Sequence, residues 1–470
     1  MASLVHSTPV EDHPPSPKRQ RRGAFSAEQQ RALDYAQNGM SFFLTGAAGT
    51  GKSSLVKEIL CVLEDNDKRV AITASTGAAA QLIGGRTLHS FSGLGRVEER
   101  DTPEELATKV RGKLHALQTW MNTDVLLIDE ISMISARLFE QLEYVARKVR
   151  GKEKPFGGIQ VIAVGDFLQL APIKGTYAYM CEMWNQTIAS RVVLLTHVYR
   201  QSDPTFIQGL HQIRKGVLTP SFLQAVEASH RNGAQESERV GTAKQVSLEV
   251  EYTKLYCTRD DVNAYNRTKL LKLPGKLHTF LAKDFKTDPR IDLDGLMVDG
   301  SLDLKVGAQV VFLKNTALFQ NGTRGVVVEV VDVKNRPAGE GKIWVQLVNG
   351  ERIMVAPIAF EMYQNKRIIA SRTCLPLKLG WAITIHKSQG MTLDRVEVDL
   401  SKVFSYAQAY TALSRAMSLA SLRVVGLHQR VVYCHPDVCA YYNLLELENT
   451  TRMEREQDAA EREQEEEAAR

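Results

Sequence analysis

A chain of 470 residues with 44% hydrophobic and 24% charged residues is long enough to bury large cores, with about three domains expected from length, and is too apolar for a disordered polymer. Six scattered cysteines exclude a disulfide-stapled scaffold and suggest a reducing compartment, and no run approaches the ~18 apolar residues of a membrane span. The formal charge is +5, but residues 451–470 hold eight acids against four arginines, a local −4 that leaves +9 on the other 450 residues, an excess that suits a polyanionic partner.

Residues 1–23 lack the apolar run of a signal peptide and, with Glu11 and Asp12, match an Arg-rich transit peptide poorly. They are expected to be a disordered lead. Its cluster Lys18-Arg19-Gln20-Arg21-Arg22 reads as a nuclear import signal or as a contact to phosphate backbones. Nuclear residence is therefore expected, with the mitochondrion as the alternative. Next, Phe25-Ser26-Ala27-Glu28-Gln29-Gln30 opens an amphipathic helix, with Ser26 as N-cap and Gln29 at the capping-box position. Gln29 also carries an amide that suits the donor and acceptor of an adenine edge.

The run Gly46-Ala47-Ala48-Gly49-Thr50-Gly51-Lys52-Ser53 fits the phosphate-loop pattern. The apolar stretch Phe42-Phe43-Leu44 precedes it, and Leu55, Val56, Ile59, Leu60 and Leu63 follow at helical spacing, so the loop joins a strand to a helix N-terminus. Backbone N–H groups there cradle phosphate, Lys52 reaches its oxygens, and Ser53 is placed to hold Mg²⁺. A second strand, Arg69-Val70-Ala71-Ile72-Thr73-Ala74, leads into Ser75-Thr76-Gly77 and then Gly85-Arg86-Thr87-Leu88-His89-Ser90-Phe91. Thr73, Thr76, His89 and Ser90 suit a close approach of a nucleic-acid backbone, and Phe91 offers a stacking ring. The plain alternative is a glycine-rich connection.

Asp124-Val125-Leu126-Leu127-Ile128-Asp129-Glu130 describes a central parallel strand that ends in two acids at a ligand crevice. Asp129 would hold Mg²⁺ and Glu130 would activate water against a γ-phosphate. A third strand runs Ile159-Gln160-Val161-Ile162-Ala163-Val164 into Gly165-Asp166-Phe167-Leu168-Gln169-Leu170. It delivers Gln169 to the same crevice.

Asp129-Glu130-Ile131-Ser132-Met133-Ile134, Pro155-Phe156-Gly157-Gly158-Ile159-Gln160 and the Gln169 segment resemble the petite-integration-frequency (Pif) family of superfamily-one DNA helicases. Ala171 departs from the family's proline pair, which leaves Pro172 and a local loop change. Thr196-His197-Val198-Tyr199-Arg200-Gln201 is similar to its fourth motif, Gly380 to Thr392 to its fifth, and Tyr410-Thr411-Ala412-Leu413-Ser414-Arg415-Ala416 to its sixth. By resemblance Arg200 and Arg415 are arginine fingers, and Gly390 is near the nucleotide. Thr384, His386, Lys387, Ser388, Tyr410, Ser414 and Arg423 are then DNA contacts. The resemblance covers residues 25–427. It implies ATP and Mg²⁺ as cofactors, single-stranded and forked DNA as partners, and a monomer.

The implied fold is α/β, with two RecA-like parallel-sheet domains and a small SH3-like β-barrel inserted in the second. The first domain spans 24–198, with a wedge near 88–113. The second spans 199–275 and 375–432. Short β-rich runs punctuated by Asn321-Gly322 and Asn349-Gly350 mark 276–374 as the insertion, although a purely structural role stays open. Cys434, His435 and Cys439 fall short of a zinc set and read as a chance grouping. Residues 433–470 read as an acidic tail, an exposed helix or disordered, with solvation preferred from about Leu444. The expected activity is 5′-to-3′ DNA unwinding in replication, repair, recombination or telomere maintenance. The alternative is an ATPase that strips proteins from DNA without unwinding.

Overall fold

The computed structural model describes residues 25–469 except 96, 98, 99, 241–250, 290, 292, 294, 295, 297, 315, 317, 320, 321, 332–336, 365 and 366. The basic cluster at 18–22 and the turn residue Asn321 lie outside the described residues. Six strands build the first lobe: β1 (Phe42–Gly46), β2 (Val70–Ala74), β3 (Arg86–Thr87), β4 (Val125–Asp129), β5 (Gln160–Gly165) and β6 (Val192–Leu195). All pair in parallel, in the order β3-β2-β4-β5-β1-β6. Their apolar runs are continuous because both faces are covered. Phe43, Leu126, Ile128 and Val161 enter one core, while Phe42, Leu44, Leu127 and Ile162 enter the other. Since β1 and β4 flank β5, the loops after all three open at one sheet end, the usual ligand crevice of an α/β sheet.

The strand β7 (Thr253–Tyr256) starts a second sheet, and the chain then leaves it for antiparallel strands: β8 (His278–Leu281), β9 (Lys283–Lys286), β10 (Ser301–Leu304), β11 (Gln309–Phe312), β12 (Arg324–Val331), β13 (Lys342–Leu347), β14 (Arg352–Val355), β15 (Ile358–Gln364), β16 (Arg367–Cys374) and β17 (Leu377–Leu379). It returns as β18 (Ala382–Thr384), β19 (Val396–Asp399) and β20 (Leu422–Val425). These complete a parallel sheet in the order β18-β7-β19-β20. The inserted strands form a sheet β14-β13-β12-β11-β17 around its own core, beside the pair β10-β8 and the sheet β15-β16-β9. The expected closed barrel is not found among the described residues. Closure needs the outer strands to meet in register, and here β15 pairs with β16 and β16 with β9 as a separate sheet.

The acidic C-terminal stretch also differs from the expected solvated tail. It is one helix, Pro436–Ala469, whose start is built into the first lobe: Val438, Tyr442 and Leu445 are buried in its core, and Asn449 is buried too. The spacing of these four residues, 4, 3 and 4, is that of one helix face. Lys215 Nζ pairs with Glu446 (2.6 Å), and Arg31 of the helix Ala27–Gln37 pairs with Glu456 (2.6 Å). Cys434 and Cys439, read as a chance grouping, form a disulfide just before and within this helix.

Candidate active site

β1 brings Gly46 to the crevice, and the helix Lys52–Asp65 leaves from it. Gly49 must be glycine on two counts: its φ is 87°, and a Cβ there would lie 2.7 Å from Arg200 Cβ. Lys52 Nζ donates to Gly46 O (2.7 Å) and Ala47 O (2.9 Å), and Thr50 Oγ1 donates to Ala47 O (2.9 Å). Ser53 is exposed in the first helical turn. Ala48 N donates to Tyr410 Oη of the second lobe (2.8 Å). Gln29 Oε1 accepts from Ser26 N (3.1 Å), which completes the capping box. An aromatic that sequence analysis did not single out stands over the loop: Tyr199 N donates to Gly49 O (2.8 Å), and its ring is 60% exposed beside Gly51. Such a face suits a nucleobase.

β4 delivers the two acids. Glu130 sits at φ 53°, a left-handed conformation uncommon for a residue with a side chain and more frequent at functional sites. That turn lets Glu130 N donate to Asp129 Oδ1 (2.9 Å), while Glu130 Oε2 accepts from Gln389 Nε2 of the second lobe (2.8 Å). Burial, then the Glu130 charge, push Asp129 up to about 7. Burial also raises Glu130, opposed by Lys52 and Arg415, and it lowers Lys52. These are carboxylates short of a counter-cation, a donor set that fits a divalent ion. Among the described residues no cluster of three or more His, Cys, Asp or Glu could cage one, so phosphate and water would complete its shell.

Because Asp129 is raised from 3.8 in the folded protein, the native state holds the extra proton, and stability falls as pH rises from about 4 to about 7, then levels. Asp129→Asn removes that titration. Its thermal margin over the parent, without nucleotide or metal, should grow between about pH 4 and 7 and stay constant above. A margin that ignores pH would refute the shift.

Gln169 is buried after β5; its Nε2 lies 3.4 Å from Asp166 Oδ2, and Arg415 Nη2 reaches its Oε1 at 3.5 Å. Arg415 is 1% exposed. Burial, then the Arg200 charge, lower it to about 9, against the pull of Glu130. Arg200 Nη1 donates to Ser414 O (3.1 Å), and burial lowers it as well. A second buried arginine pairing, unmarked by any motif, joins the lobes. Arg214 of the helix Pro204–Arg214 donates to Asp166 through Nη2 (2.7 Å) and Nε (3.0 Å). Its guanidinium lies 4.6 Å from the Tyr442 ring centre. Tyr442 Oη in turn meets Thr45 Oγ1 (2.6 Å) and accepts from Phe167 N (3.0 Å).

The expected DNA contacts divide. Thr76, His89, Ser90, His386 and Lys387 keep exposed surface, whereas Thr73, Phe91, Thr384, Ser388, Tyr410 and Ser414 are buried. The buried ones already have partners inside the protein. Thr73 Oγ1 donates to Leu127 O (2.7 Å), Ser388 Oγ to Ile385 O (2.7 Å), and Ser414 Oγ to Thr411 O (3.0 Å). Phe91 packs edge-on to Trp120 at 4.7 Å beneath Arg86, so its ring belongs to the core and not to a stacking surface. Arg423 lies over Tyr252 (4.2 Å) at the N-terminal end of its strand, opposite the end that carries His386. Gly390 follows Gln389, abuts Leu82 and borders a cavity of about 500 Å³ with Arg324 and Thr392.

A family model, PIF1-like helicase, matches residues 24–219. The human ATP-dependent DNA helicase PIF1 is 40% identical over 429 residues, 89% of this chain and 64% of that protein; the chain thus spans just under two thirds of that relative. The crystal structure of Pif1 helicase from Candida albicans superposes with a TM-score of 0.72 at 35% identity, covering 90% of this chain and 99% of that one. Pif1 helicase from Bacteroides in complex with ADP-AlF3 and ssDNA gives a TM-score of 0.60 at 26% identity, covering 92% and 98%. A cleft built from a phosphate loop, two strand-end acids and arginines of a second lobe, together with these matches, places the chain in the PIF1-like helicase family.

Proposed function

We propose that this chain is an ATP-dependent DNA helicase that moves 5′ to 3′ on single-stranded DNA, the direction the family resemblance implies, and unwinds forked or folded DNA in replication, repair, recombination or telomere maintenance. One observation carries the proposal: Lys52, Glu130 and Gln169 come from one lobe and Arg415 from the other, yet they meet in one cleft. Charge on a γ-phosphate is then stabilised only when the lobes are closed, so hydrolysis is tied to their relative movement. Lys52 orients the phosphates, Glu130 takes the proton of the attacking water, and Gln169 reports the γ-phosphate to Arg415. Mg²⁺, held by Ser53 and Asp129, would supply charge neutralisation at the phosphate oxygens. One copy suffices for a cycle, because both sides of the cleft belong to one chain. The inserted strands 276–374 act as an SH3-like module beside the DNA path.

Strand displacement on 5′-tailed, 3′-tailed and blunt duplexes tests the reading. The 5′-tailed duplex should be opened with ATP, and Lys52→Ala should abolish opening, since that cation serves both bound and transition states. DNA-stimulated hydrolysis without displacement would favour the protein-stripping alternative.

A further inference from the structure

Phe404 lies in the segment between β19 and β20, and its ring is 63% exposed. A single exposed ring is ordinary, so its setting decides. The ring lies nearly parallel to that of His386, with centres 6.3 Å apart and 18° between planes. His386 follows β18, Phe404 follows β19, and Arg259 follows β7, which lies between those two strands. Loops from the C-terminal ends of three adjacent parallel strands therefore share one rim.

Cations line part of the rim, beside Asp261 and Asp399. Lys387, next to His386, is exposed, and Arg259 is exposed too. Partial loss of hydration, then the charge of Lys378, push Lys387 down to about 8, with Arg259 adding to the crowding and Asp299, paired with Lys378 at 3.0 Å, offsetting only part of it. Such crowding is relieved by an anion such as a phosphate diester. Exposed rings among cations are the usual grip on single strands, where a base stacks on the ring and the backbone meets the charge.

We propose that Phe404, backed by His386, is a stacking platform for an unpaired base of single-stranded DNA, the role expected of Phe91 before its ring proved to be core. The proposal rests on the reading of the chain as a DNA motor. Phe404 would hold a base, while Lys387 and Arg259 hold the flanking phosphates.

The test is fluorescence anisotropy with a labelled oligothymidylate and with an abasic strand of equal length, each over a salt series. Phe404→Ala should weaken oligothymidylate binding by roughly 5- to 150-fold, the usual worth of one stacked base. It should leave abasic binding within about twofold, and Phe404→Trp should restore affinity. Lys387→Ala should weaken both strands alike and lower the salt slope by about one phosphate contact. An unchanged thermal midpoint of Phe404→Ala shows that the fold survives. If Phe404→Ala binds both strands like the parent while Lys387→Ala still weakens them, the platform is wrong and the DNA reading stands. Equal loss on both strands by Phe404→Ala also overturns the platform. Absence of salt-dependent binding in the parent overturns both.

Discussion

Arg415→Ala should lower DNA-stimulated ATP hydrolysis by about 10³–10⁵-fold, the worth of an arginine finger, while changing stability without nucleotide only modestly. The two halves of this expectation share one cause. Arg415 is nearly fully buried, beside Arg200, and is pushed down to about 9, so its charge is held at a cost until an anion enters the cleft. Removing it therefore spares the resting protein more than it spares the transition state, where charge develops on the transferred phosphate. Arg200→Ala should behave alike, at a hundredfold or more, and the double mutant should fall far short of the product, because the two act on one charge. Lysine should rescue neither fully, since a point charge does not span two oxygens. Steady-state hydrolysis with saturating single-stranded DNA, read beside thermal melts, checks this. A variant that keeps more than about a third of the rate lies on the scale of a surface ion pair and is no finger.

What could be read along the chain depended on how local each signal was. The phosphate loop, β4 and β5 were legible because a strand buried on both faces must be a continuous apolar run, and because the chemistry sits at its end. Phe91 was misread because its fate is decided by Trp120, far along the chain, and a ring beside glycines looks the same exposed or buried. The C-terminal helix did carry a signal, the stripe of Val438, Tyr442 and Leu445, but the acids beyond it dominated composition. Tyr410 and Ser414, expected at DNA, have partners inside the protein: Tyr410 serves the phosphate loop through Ala48, a contact only the packing of one lobe on the other creates. Phe404 and Arg214 carry no local mark. Their settings come from loops and a helix brought together by the two sheets.

Arg214→Ala should destabilise the protein by about 3–5 kcal/mol, the cost of stranding a buried charge. Arg214 is as deeply buried as Arg415 and lies in the same interface, but its shift has the opposite sign. Burial opposes its charge, yet Asp166 overcomes that and raises it above its ordinary value. For Asp166, fully buried, burial alone would raise the carboxyl, and Arg214 instead holds it below 3.8. A depressed carboxylate contributes stability above its unfolded pKa and loses it as pH falls through the folded one, so the pair should hold at neutral pH and fail in acid. The Ala variant leaves Asp166 with the charge of Lys52 and the hydrogen bonds from Leu168 N and Gln169 Nε2 for compensation, and takes away the guanidinium packed on Tyr442. Replacing both charges, as Arg214→Met with Asp166→Leu, should recover most of the lost stability, because apolar groups of similar volume need no partner. That double variant should stay slow in hydrolysis, since Asp166 no longer orients Gln169. Urea unfolding midpoints of Arg214→Ala and of the double variant, at about pH 7.5 and again near pH 4, separate these outcomes. A loss below about 1 kcal/mol for Arg214→Ala would place the pair with ordinary surface bridges and remove its role as the bond between lobes.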